Sequence, residues 1–578
     1  MHNQENSEPE WIYPAEKQDW CDQITQEFNL HPVLSQVLAS RGFKTLDEIH
    51  HFLYAKLPDL LDPYLFADMR KAVNRVLQAL QKKESVLIYG DNDVDGITGT
   101  TVLTEFLRKI GINTFYYIQN RSTTKSILLD ALDYAKKNSC TLIITVDCGI
   151  TAAKEVKEIA GQGVDVIITD HHEPTAKLPH CIATLNPKLH KSTYPNRDIT
   201  GVGVAFKLVH AITSSLINSS TISATKIDLK HYLDLVALGT IADMGALIGE
   251  NRIMVRYGLR QLRKTKRVGL IKLLDVCEIK KSEVSTMAVA SKIAPRLNSL
   301  GRIADPQKGV ELLLIRDHTL AEQLANELDL NNIERQKIDR SNSLDVEKNI
   351  ADNPQILTQR AIVLHSTEWH PGIIPIITAR IAKQYNRPTI LISIDNGIGK
   401  GSIRTIPEFP LLTVLHKLSH HLINFGGHDF AAGLAIDEKN IPAFTRDFIA
   451  IAAETITEKD IYPKLQLDAA VTFSDLTYDF MDMMHLLEPF GTENPAPILY
   501  CKAKQIWSPK IVGKDHLKVY LEQSDRNLEG IGFNLAPKRP PIRSKKTPVK
   551  VAFTPQINTF LNKSSIQLQI RDIKPATE

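Results

Sequence analysis

Several short clusters of aspartate and histidine in this chain follow runs of apolar, β-prone residues. Three of these runs are 85–89 before Asp91, 141–146 before Asp147, and 164–169 before Asp170. Carboxylates at the ends of successive parallel strands converge on the crevice where such sheets bind ligands. Carboxylate and imidazole together are the ligands that Mn²⁺ or Mg²⁺ uses in proteins. The pattern therefore predicts a metal-dependent phosphoryl-transfer enzyme.

The first cluster, Asp91-Asn92-Asp93-Val94-Asp95-Gly96, places three carboxylates at alternate positions. In an extended segment this spacing puts all three on one face, where they repel each other unless cations neutralise them. Further possible metal ligands come from Asp147, from Asp170-His171-His172 and from Asp243, which is expected at a helix end. This density suffices for two ions roughly 3.5–4 Å apart, the arrangement that clamps attacking and leaving oxygens in phosphoester hydrolysis.

Each cluster has a simpler explanation when it is considered alone. An aspartate after a strand is usually a turn residue or a helix N-cap. The first cluster could be a calcium loop, but the position that requires glutamate in such a loop is Val102. The conjunction of four clusters at successive element ends is much harder to explain as turns. The sequence contains no GxxxxGK[ST], GxSxG or HExxH motif, so ATP-driven translocation is not supported.

Composition limits the class of protein only broadly. The 578 residues are 43% hydrophobic and 23% charged with a net charge of +3, which is ordinary for a globular protein of several domains. The six cysteines have no CxxC spacing, which argues against a zinc site or a disulfide framework and favours a reducing cytoplasm. We expect no signal peptide, because the N-terminus is polar, and no stretch of membrane-spanning length.

The order of predicted elements indicates an α/β multidomain protein. Residues 1–75 have helical spacing of apolar residues, and strands and helices then alternate to about 250, which predicts a parallel sheet covered by helices. The segment 305–352 is helical and charged, either a solvated connector or a core helix. A second α/β segment begins near 355, and short strands after 465 suggest a small β-barrel or sandwich.

At this point the residues resemble the DHH phosphoesterases, and among them the bacterial RecJ single-strand exonucleases. The resemblance covers nearly the whole chain. It rests on Asp170-His171-His172, on Tyr89–Gly96, and on further motifs in the same order along the chain: Asn186-Pro187-Lys188, 201–207, 235–243, 295–298 with Gly301-Arg302, 369–372, Gly426-Gly427-His428 with 431–433, and 488–491 with Asn494-Pro495.

The resemblance implies a DHH phosphoesterase domain with a parallel sheet, a long connector helix, a second α/β DHH-associated domain, and a C-terminal OB-like β-barrel. The expected boundaries are 1–75 for an N-terminal helical segment, 76–250 for the DHH catalytic domain, 251–352 for a linking helical region, 353–458 for the DHH-associated domain and 459–578 for the OB-fold.

The resemblance also implies a metal-dependent 5′ to 3′ exonuclease that hydrolyses single-stranded DNA to mononucleotides with Mn²⁺ or Mg²⁺, in DNA repair and recombination. Asp93, Asp95, Asp147, His171 and Asp243 match the family's metal ligands, and Asp91 and His172 match catalytic positions beside them. We expect His172 to contact a phosphate oxygen and Asp91 to support the metal ligands, although a purely structural histidine is the alternative.

Predicted contacts with nucleic acid or phosphate come from several parts of the chain. The candidates are Arg121, Arg296, Arg302, Ser402, Arg404, Gly426, Gly427, His428, Lys514 and Lys518. For Arg296 and Arg302 a surface salt bridge is an equal alternative. Trp507 and Tyr520 in the OB-like part are candidates for base stacking.

Two other functions are possible on the sequence alone: a DHH phosphoesterase acting on short oligonucleotides or cyclic dinucleotides, and a non-catalytic single-strand-binding scaffold. The β-rich C-terminal third argues against the first, and the complete set of metal-type residues argues against the second. The expected partners are single-stranded DNA and, through the resemblance, a single-strand-binding protein and a helicase. We expect a cytoplasmic monomer with no membrane association.

Overall fold

The computed structural model describes residues 9–119, 128–219, 227–536, 547–560 and 563–576. The chain forms two compact units, each assembled from segments that are separated in sequence. The first unit comprises Met1–Ala55, Glu458–Phe490 and Asn494–Glu578, and the second comprises Lys56–Thr457 and Gly491–Glu493. The helical segment expected at 1–75 is thus divided between the units after Ala55.

The N-terminal part of the first unit consists of one short strand and three helices: β1 (Glu10–Ile12), α1 (Gln18–Phe28), α2 (Pro32–Ser40) and α3 (Leu46–Tyr54). Apolar side chains of these helices, such as Ile24, Val37 and Phe52, share a core with C-terminal strands of the same unit, including Leu521 and Phe553. This long-range packing explains why the N-terminal helices group with the C-terminal part of the chain.

The second unit begins with an alternation of helices and strands: α4 (Met69–Lys82), β2 (Ser85–Gly90), α5 (Val94–Lys109), β3 (Asn113–Ile118), α6 (Leu129–Lys137), β4 (Cys140–Val146), α7 (Ala153–Gly161), β5 (Asp165–Thr169) and β6 (Ala183–Leu185). The five strands are all parallel, in the order β3-β2-β4-β5-β6, which confirms the predicted parallel sheet. The carboxyl ends of β2, β4 and β5 therefore lie side by side, as their aspartates require.

Two further helices, α8 (Gly201–Asn218) and α9 (Leu233–Ala242), pack with α5 in the core on one face of this sheet. Their residues are apolar nearly all round, which is typical of a fully buried helix. By length and composition α8 could cross a membrane, contrary to the expectation from the sequence, but 72% of it is buried inside the unit. A core helix of a globular domain has the same properties.

A helical region connects the two sheets of the second unit: α10 (Gly249–Leu262), α11 (Val268–Val276), α12 (Thr286–Ala288), α13 (Ala294–Ile303), α14 (Gln307–Leu314) and α15 (His318–Asp352). The expected charged connector is one continuous helix of 35 residues, α15. Its first turns bury Ala321 and Leu328 in the core of the parallel sheet, and its last turns bury Val346 and Ile350 in the next core. Both ends are therefore anchored.

The second sheet of this unit contains β7 (Ile362–Ser366), α16 (Ile374–Tyr385), β8 (Thr389–Asp395), β9 (Ile398–Arg404), α17 (Leu411–Lys417), β10 (Leu422–His428), β11 (Ala431–Asp437) and α18 (Ile441–Thr455). The strand order is β10-β11-β9-β8-β7, with only the β7–β8 pair parallel. The sequence predicts two strands in this segment, Ala361–Leu364 and Thr389–Ser393, which correspond to β7 and β8. It does not predict β9, β10 or β11.

The C-terminal part of the first unit is built mainly of strands: β12 (Lys464–Gln466), β13 (Ala469–Ala470), α19 (Tyr478–Met484), β14 (Leu499–Gln505), β15 (Lys510–Val512), β16 (His516–Gln523), β17 (Arg526–Gly532), β18 (Thr547–Phe560) and β19 (Lys563–Pro575). The order β13-β14-β18-β19-β17-β16-β15, with an additional β14–β16 pairing, closes the sheet. This is the predicted small barrel. The basic, proline-rich segment 537–546 lies outside the described residues.

Candidate metal centre

The acidic loop between β2 and α5 carries the first three carboxylates. Asp93 is the N-cap of α5, because its Oδ1 accepts hydrogen bonds from the backbone N–H groups of Asp95 (3.0 Å) and Gly96 (3.1 Å). Asp95 therefore lies in the first helical turn. The prediction that Asp91, Asp93 and Asp95 share one face of an extended segment is wrong, because the helix begins at Val94.

Asp95 is buried against the N-terminus of α8. Its carboxylate accepts hydrogen bonds from the backbone N–H groups of Gly201 (2.6 Å) and Val202 (2.9 Å). A Cβ on Gly201 would lie 2.6 Å from the Cβ of Asp147, so only glycine lets the two approach this closely. The helix N-terminus favours the negative charge of Asp95.

Asp147 follows β4 and lies at the centre of the cluster, with its backbone at a φ of 61°. Its Oδ1 is 3.0 Å from Nε2 of His171 but accepts no well-oriented hydrogen bond among the described residues. A buried carboxylate oxygen without a donor costs free energy unless a cation or water satisfies it. Oδ1 of Asp147 is therefore suited to bind a metal ion.

The segment Asp170-His171-His172 follows β5, and its three side chains have different surroundings. Asp170 Oδ1 accepts hydrogen bonds from the backbone N–H groups of His171 (2.7 Å) and His172 (3.0 Å) and from Nδ1 of the His172 ring (2.8 Å). Its Oδ2 accepts from the N–H of Ile150 at 2.9 Å. Asp170 is therefore engaged in positioning its neighbours.

His171 and Asp243 complete the cluster. Asp243 directly follows α9, as predicted for a carboxylate at a helix end. Its Oδ2 lies 3.6 Å from Nε2 of His171, and the same nitrogen is 3.9 Å from Oδ2 of Asp95. Three overlapping groups bring possible ligand atoms within 4.8 Å of one another: Asp147 with His171 and His172, Asp95 with His171 and Asp243, and Asp91 with Asp93 and Asp147.

The pKa values of the side chains in this cluster show that its carboxylates have too little positive charge around them. Burial, and then the neighbouring carboxylates, raise the pKa of Asp147 and that of Asp243 well above the usual value, and burial and Asp93 raise the pKa of Asp95 to about 7. Burial, and then the charge of His172, lower the pKa of His171 to about 3, so this imidazole is neutral and able to bind a metal. Divalent cations would stabilise the ionised carboxylates.

His172 differs from His171 because it is paired with Asp170. Burial alone would lower the pKa of His172, but the hydrogen bond and the charge of Asp170 raise it to about 9. Its side chain is 41% exposed. A protonated, accessible imidazolium beside a metal cluster is suited to contact a phosphate oxygen.

A helix from the linking region holds the acidic loop in place. Asn298 on α13 accepts a hydrogen bond through Oδ1 from the backbone N–H of Val94 at 3.0 Å. One turn later, a Cβ on Gly301 would lie 2.1 Å from the carbonyl oxygen of Asn92. Both residues belong to motifs of the sequence, but their role could not be predicted, because no local pattern links α13 to a loop about 200 residues earlier.

The second sheet contributes His428 to the neighbourhood of this cluster. Its ring stacks on that of His172, with centroids 5.9 Å apart and an interplanar angle of 15°. Arg404 on β9 and His428 on β10 both pair in register with Ala431 of β11. Gly427 has a φ of 152°, and a Cβ there would lie 2.3 Å from the carbonyl oxygen of Ala431, which requires glycine.

Several predicted nucleic-acid contacts have partners within the protein. Arg296 makes the salt bridge that was its alternative, with Nε 2.8 Å from Oδ1 of Asp329, and Arg302 donates to the carbonyl oxygen of Gly372 at 2.7 Å. Ser402 is buried, and Oγ lies 3.4 Å from NH1 of Arg404. Gly426 precedes Gly427 on β10. Arg121 lies outside the described residues.

The two lysine candidates lie on the barrel of the first unit. Lys514 is exposed in the turn before β16, and Lys518 pairs with Glu529 at 2.8 Å, with Nζ 5.4 Å from the Tyr520 ring. The rings of Trp507 and Tyr520 meet edge to face, with centroids 4.8 Å apart, and both line a cavity of about 470 Å³. The barrel therefore offers an aromatic, partly basic surface on its own.

Comparison with known proteins agrees with this architecture. Family models match at residues 85–240 (DHH family, N-terminal domain), 353–454 (DHHA1 domain) and 467–572 (RecJ OB domain). The chain is 35% identical over 571 residues to the single-stranded-DNA-specific exonuclease RecJ of Bacillus subtilis, covering 98% of this chain and 71% of that protein. The chain belongs to the RecJ family.

Other RecJ proteins cover the chain to a similar extent. The Escherichia coli single-stranded-DNA-specific exonuclease RecJ is 30% identical over 563 residues, covering 94% of this chain and 96% of that protein. The crystal structure of Thermus thermophilus RecJ with Mn²⁺ has a TM-score of 0.83 at 27% identity, covering 98% of this chain and 80% of that one. The Mg²⁺ complex of the same protein has a TM-score of 0.76. Both ions suit the carboxylate-rich ligand set found here.

Proposed function

We propose that this chain is a metal-dependent exonuclease that hydrolyses single-stranded DNA from its 5′ end and releases mononucleotides. The observation that carries the proposal is the convergence of four carboxylates and a neutral imidazole from four separate chain segments, beside a protonated histidine. Membership of the RecJ family and the aromatic, partly basic surface of the barrel support single-stranded DNA as the substrate.

The proposed metal ligands are Asp93, Asp95, Asp147, His171 and Asp243, arranged to hold two Mn²⁺ or Mg²⁺ ions. When bound, such ions generate hydroxide from water at neutral pH and neutralise charge on the phosphate. In the proposal Asp91 supports the ligands on the acidic loop. Asp170 holds the ring of His172 and the backbone N–H groups of His171, His172 and Ile150 through its four hydrogen bonds.

His172 would act on the phosphate itself. Its ring is held by Asp170 through Nδ1, which leaves Nε2 to donate a hydrogen bond to a non-bridging oxygen. The positive charge would stabilise the additional negative charge of the transition state. His428 stacks on this ring, and burial lowers the pKa of His428, so that the stacked partner adds no second charge.

The remaining contacts are proposed to hold the strand. Arg404 and the Gly426-Gly427 backbone, near His428, would bind phosphates, with Ser402 supporting Arg404. Arg296 and Arg302 are proposed to contact the same DNA strand. On the barrel, Trp507 and Tyr520 would stack bases while Lys514 and Lys518 contact the backbone.

A time course on DNA labelled at its 3′ end tests this proposal. We expect progressive shortening of single-stranded DNA in Mn²⁺ or Mg²⁺, no shortening in EDTA, and protection of duplex DNA. A bulky group on the 5′ end should block the reaction. Shortening that persists with the 5′ block would contradict the polarity, and cleavage limited to dinucleotides or cyclic dinucleotides would contradict the substrate.

We also propose that the protein works as a monomer in the cytoplasm, in DNA repair and recombination, where a helicase and a single-strand-binding protein would supply its substrate. The thiols of all six cysteines are free, which agrees with a reducing compartment. Sedimentation of the purified chain tests the monomer, and a second species at working concentrations would refute it.

A further inference from the structure

A second group of possible metal ligands lies in the second sheet domain, apart from the candidate metal centre. It consists of His420 and His421, in the turn Ser419–His421, and Asp447, on α18. Their ligand atoms all lie within 4.8 Å of one another. We call these three residues the imidazole cluster.

The structure holds two members of the imidazole cluster in defined positions. Nε2 of His421 is 2.9 Å from Oδ2 of Asp447, and the carbonyl oxygen of His421 accepts a hydrogen bond from Nδ2 of Asn440 at 3.3 Å. The edge of the His421 ring faces Phe444, which is fully buried. His421 is thus fixed against α18, and its side chain is only 14% exposed.

His420 is exposed and Asp447 is half-buried, so an ion can reach the cluster from the solvent side. The rings of His420 and His421 have centroids 4.1 Å apart. Arg446 donates to Oδ1 of Asp447 at 3.1 Å, which leaves Oδ2 facing the two imidazoles.

The chemistry of this ligand set differs from that of the candidate metal centre. The centre offers mainly carboxylates, which suit Mg²⁺ and Mn²⁺, whereas two imidazoles and one carboxylate suit Zn²⁺ and related borderline ions. We propose that His420, His421 and Asp447 form a separate metal site that binds one transition-metal ion of the Zn²⁺ class, with water completing the coordination. The ion would replace the direct hydrogen bond between His421 and Asp447.

The position of the cluster indicates what such an ion would stabilise. Strand β10 begins at Leu422, directly after His421, and ends at His428, whose ring stacks on His172. An ion shared by His420, His421 and Asp447 would join the start of this edge strand to α18. It would fix the strand without taking part in the reaction.

Equilibrium dialysis against Zn²⁺, with Mg²⁺ in large excess and bound zinc measured by atomic emission, tests the site in the full-length protein. We expect the wild-type chain to retain one more equivalent of Zn²⁺ than the double variant His420→Ala/His421→Ala. The exposed His180 provides the matched control, and His180→Ala should retain as much Zn²⁺ as the wild type. Equal zinc content in the double variant and the wild type would overturn the proposal.

Two single variants separate loss of the site from loss of the fold. His420 is exposed, so His420→Ala removes a ligand without disturbing packing. Asp447→Asn keeps an acceptor for His421 but removes the charge. Each should weaken Zn²⁺ binding at least about 10-fold, since even groups that only support metal ligands have effects of that size. Unchanged Zn²⁺ affinity in both folded variants, as judged by circular dichroism, would overturn the proposal as well.

Discussion

Asn298 provides a test of how the linking region controls the metal centre. Its Oδ1 accepts the N–H of Val94 at 3.0 Å, in the middle of the loop that carries Asp91, Asp93 and Asp95. Asn298→Ala would remove the acceptor of this N–H. Leaving a backbone donor unsatisfied costs about 1–3 kcal/mol. Because the donor belongs to the acidic loop, part of this cost should appear as displaced metal ligands.

The expected result is a requirement for more metal, with a small loss of stability. The metal concentration for half-maximal cleavage should rise by about 10–100-fold, the range seen when groups that orient metal ligands are removed. At saturating metal most of the activity should return. The assay is cleavage of single-stranded DNA over a Mn²⁺ titration, together with thermal unfolding of the metal-free protein.

Asn342 offers a matched control for this experiment. It lies on α15 and accepts the backbone N–H of His370 through Oδ1 at 3.2 Å, the same kind of contact at another place. Asn342→Ala should lower stability comparably but leave the metal requirement unchanged. The reasoning is refuted if Asn298→Ala needs no more metal than the wild type, or if both variants shift the metal titration equally.

Three further predictions concern packing and buried charge in the second unit. Gly301→Ala would place a Cβ 2.1 Å from the carbonyl oxygen of Asn92 and should displace the acidic loop. The variant should therefore need more metal for cleavage, and a metal requirement equal to that of the wild type would contradict this. Glu250→Gln removes the charge that pairs with the buried ammonium of Lys207 and should cost about 3–5 kcal/mol in urea unfolding; a loss below about 1 kcal/mol would contradict the role of this pair. Burial raises the pKa of Glu105, but the hydrogen bonds and charges of its partners lower it to about 2, below the unfolded value of 4.5. Its stabilisation is therefore present above pH 4.5 and lost as the pH falls toward 2, so the difference in unfolding free energy between wild type and Glu105→Gln should shrink on acidification; a constant difference would refute this.

The metal centre was largely predictable because its ligands lie at the ends of elements with clear periodicity. Strands β2, β4 and β5 are continuous apolar runs, and a parallel sheet brings their carboxyl ends together. The backbone around Asp95 was not predicted. Whether the carboxylates follow an extended path or enter a helix depends on the N-cap at Asp93 and on the N–H groups of Gly201 and Val202, which are about 100 residues away.

Other features could not be read from the sequence because they depend on distant partners or on weak local signals. Strand β9, Ile398–Arg404, contains Gly399 and Gly401, and glycine weakens the strand pattern. Helices α1–α3 look like neighbours of α4, yet their apolar faces pack with the C-terminal strands. The salt bridge of Arg296 with Asp329 could be predicted only as an alternative, because an arginine is equally suited to bind a phosphate of nucleic acid and to pair with a carboxylate of the protein.

The most direct test of the central claim compares Asp93→Asn with Asp317→Asn. Asp93 and Asp317 both cap helices, at α5 and α15, and asparagine can accept the same N–H groups. Both variants should therefore fold, as thermal unfolding can show.

Cleavage of single-stranded DNA in Mn²⁺ then distinguishes the two sites. Asp93→Asn should lose more than about 100-fold of its activity, since groups that merely support metal ligands are already worth about 10–100-fold. Asp317→Asn should cleave like the wild type. If folded Asp93→Asn cleaves within about 10-fold of the wild type, the carboxylate cluster is not the metal centre of the reaction and the account is wrong.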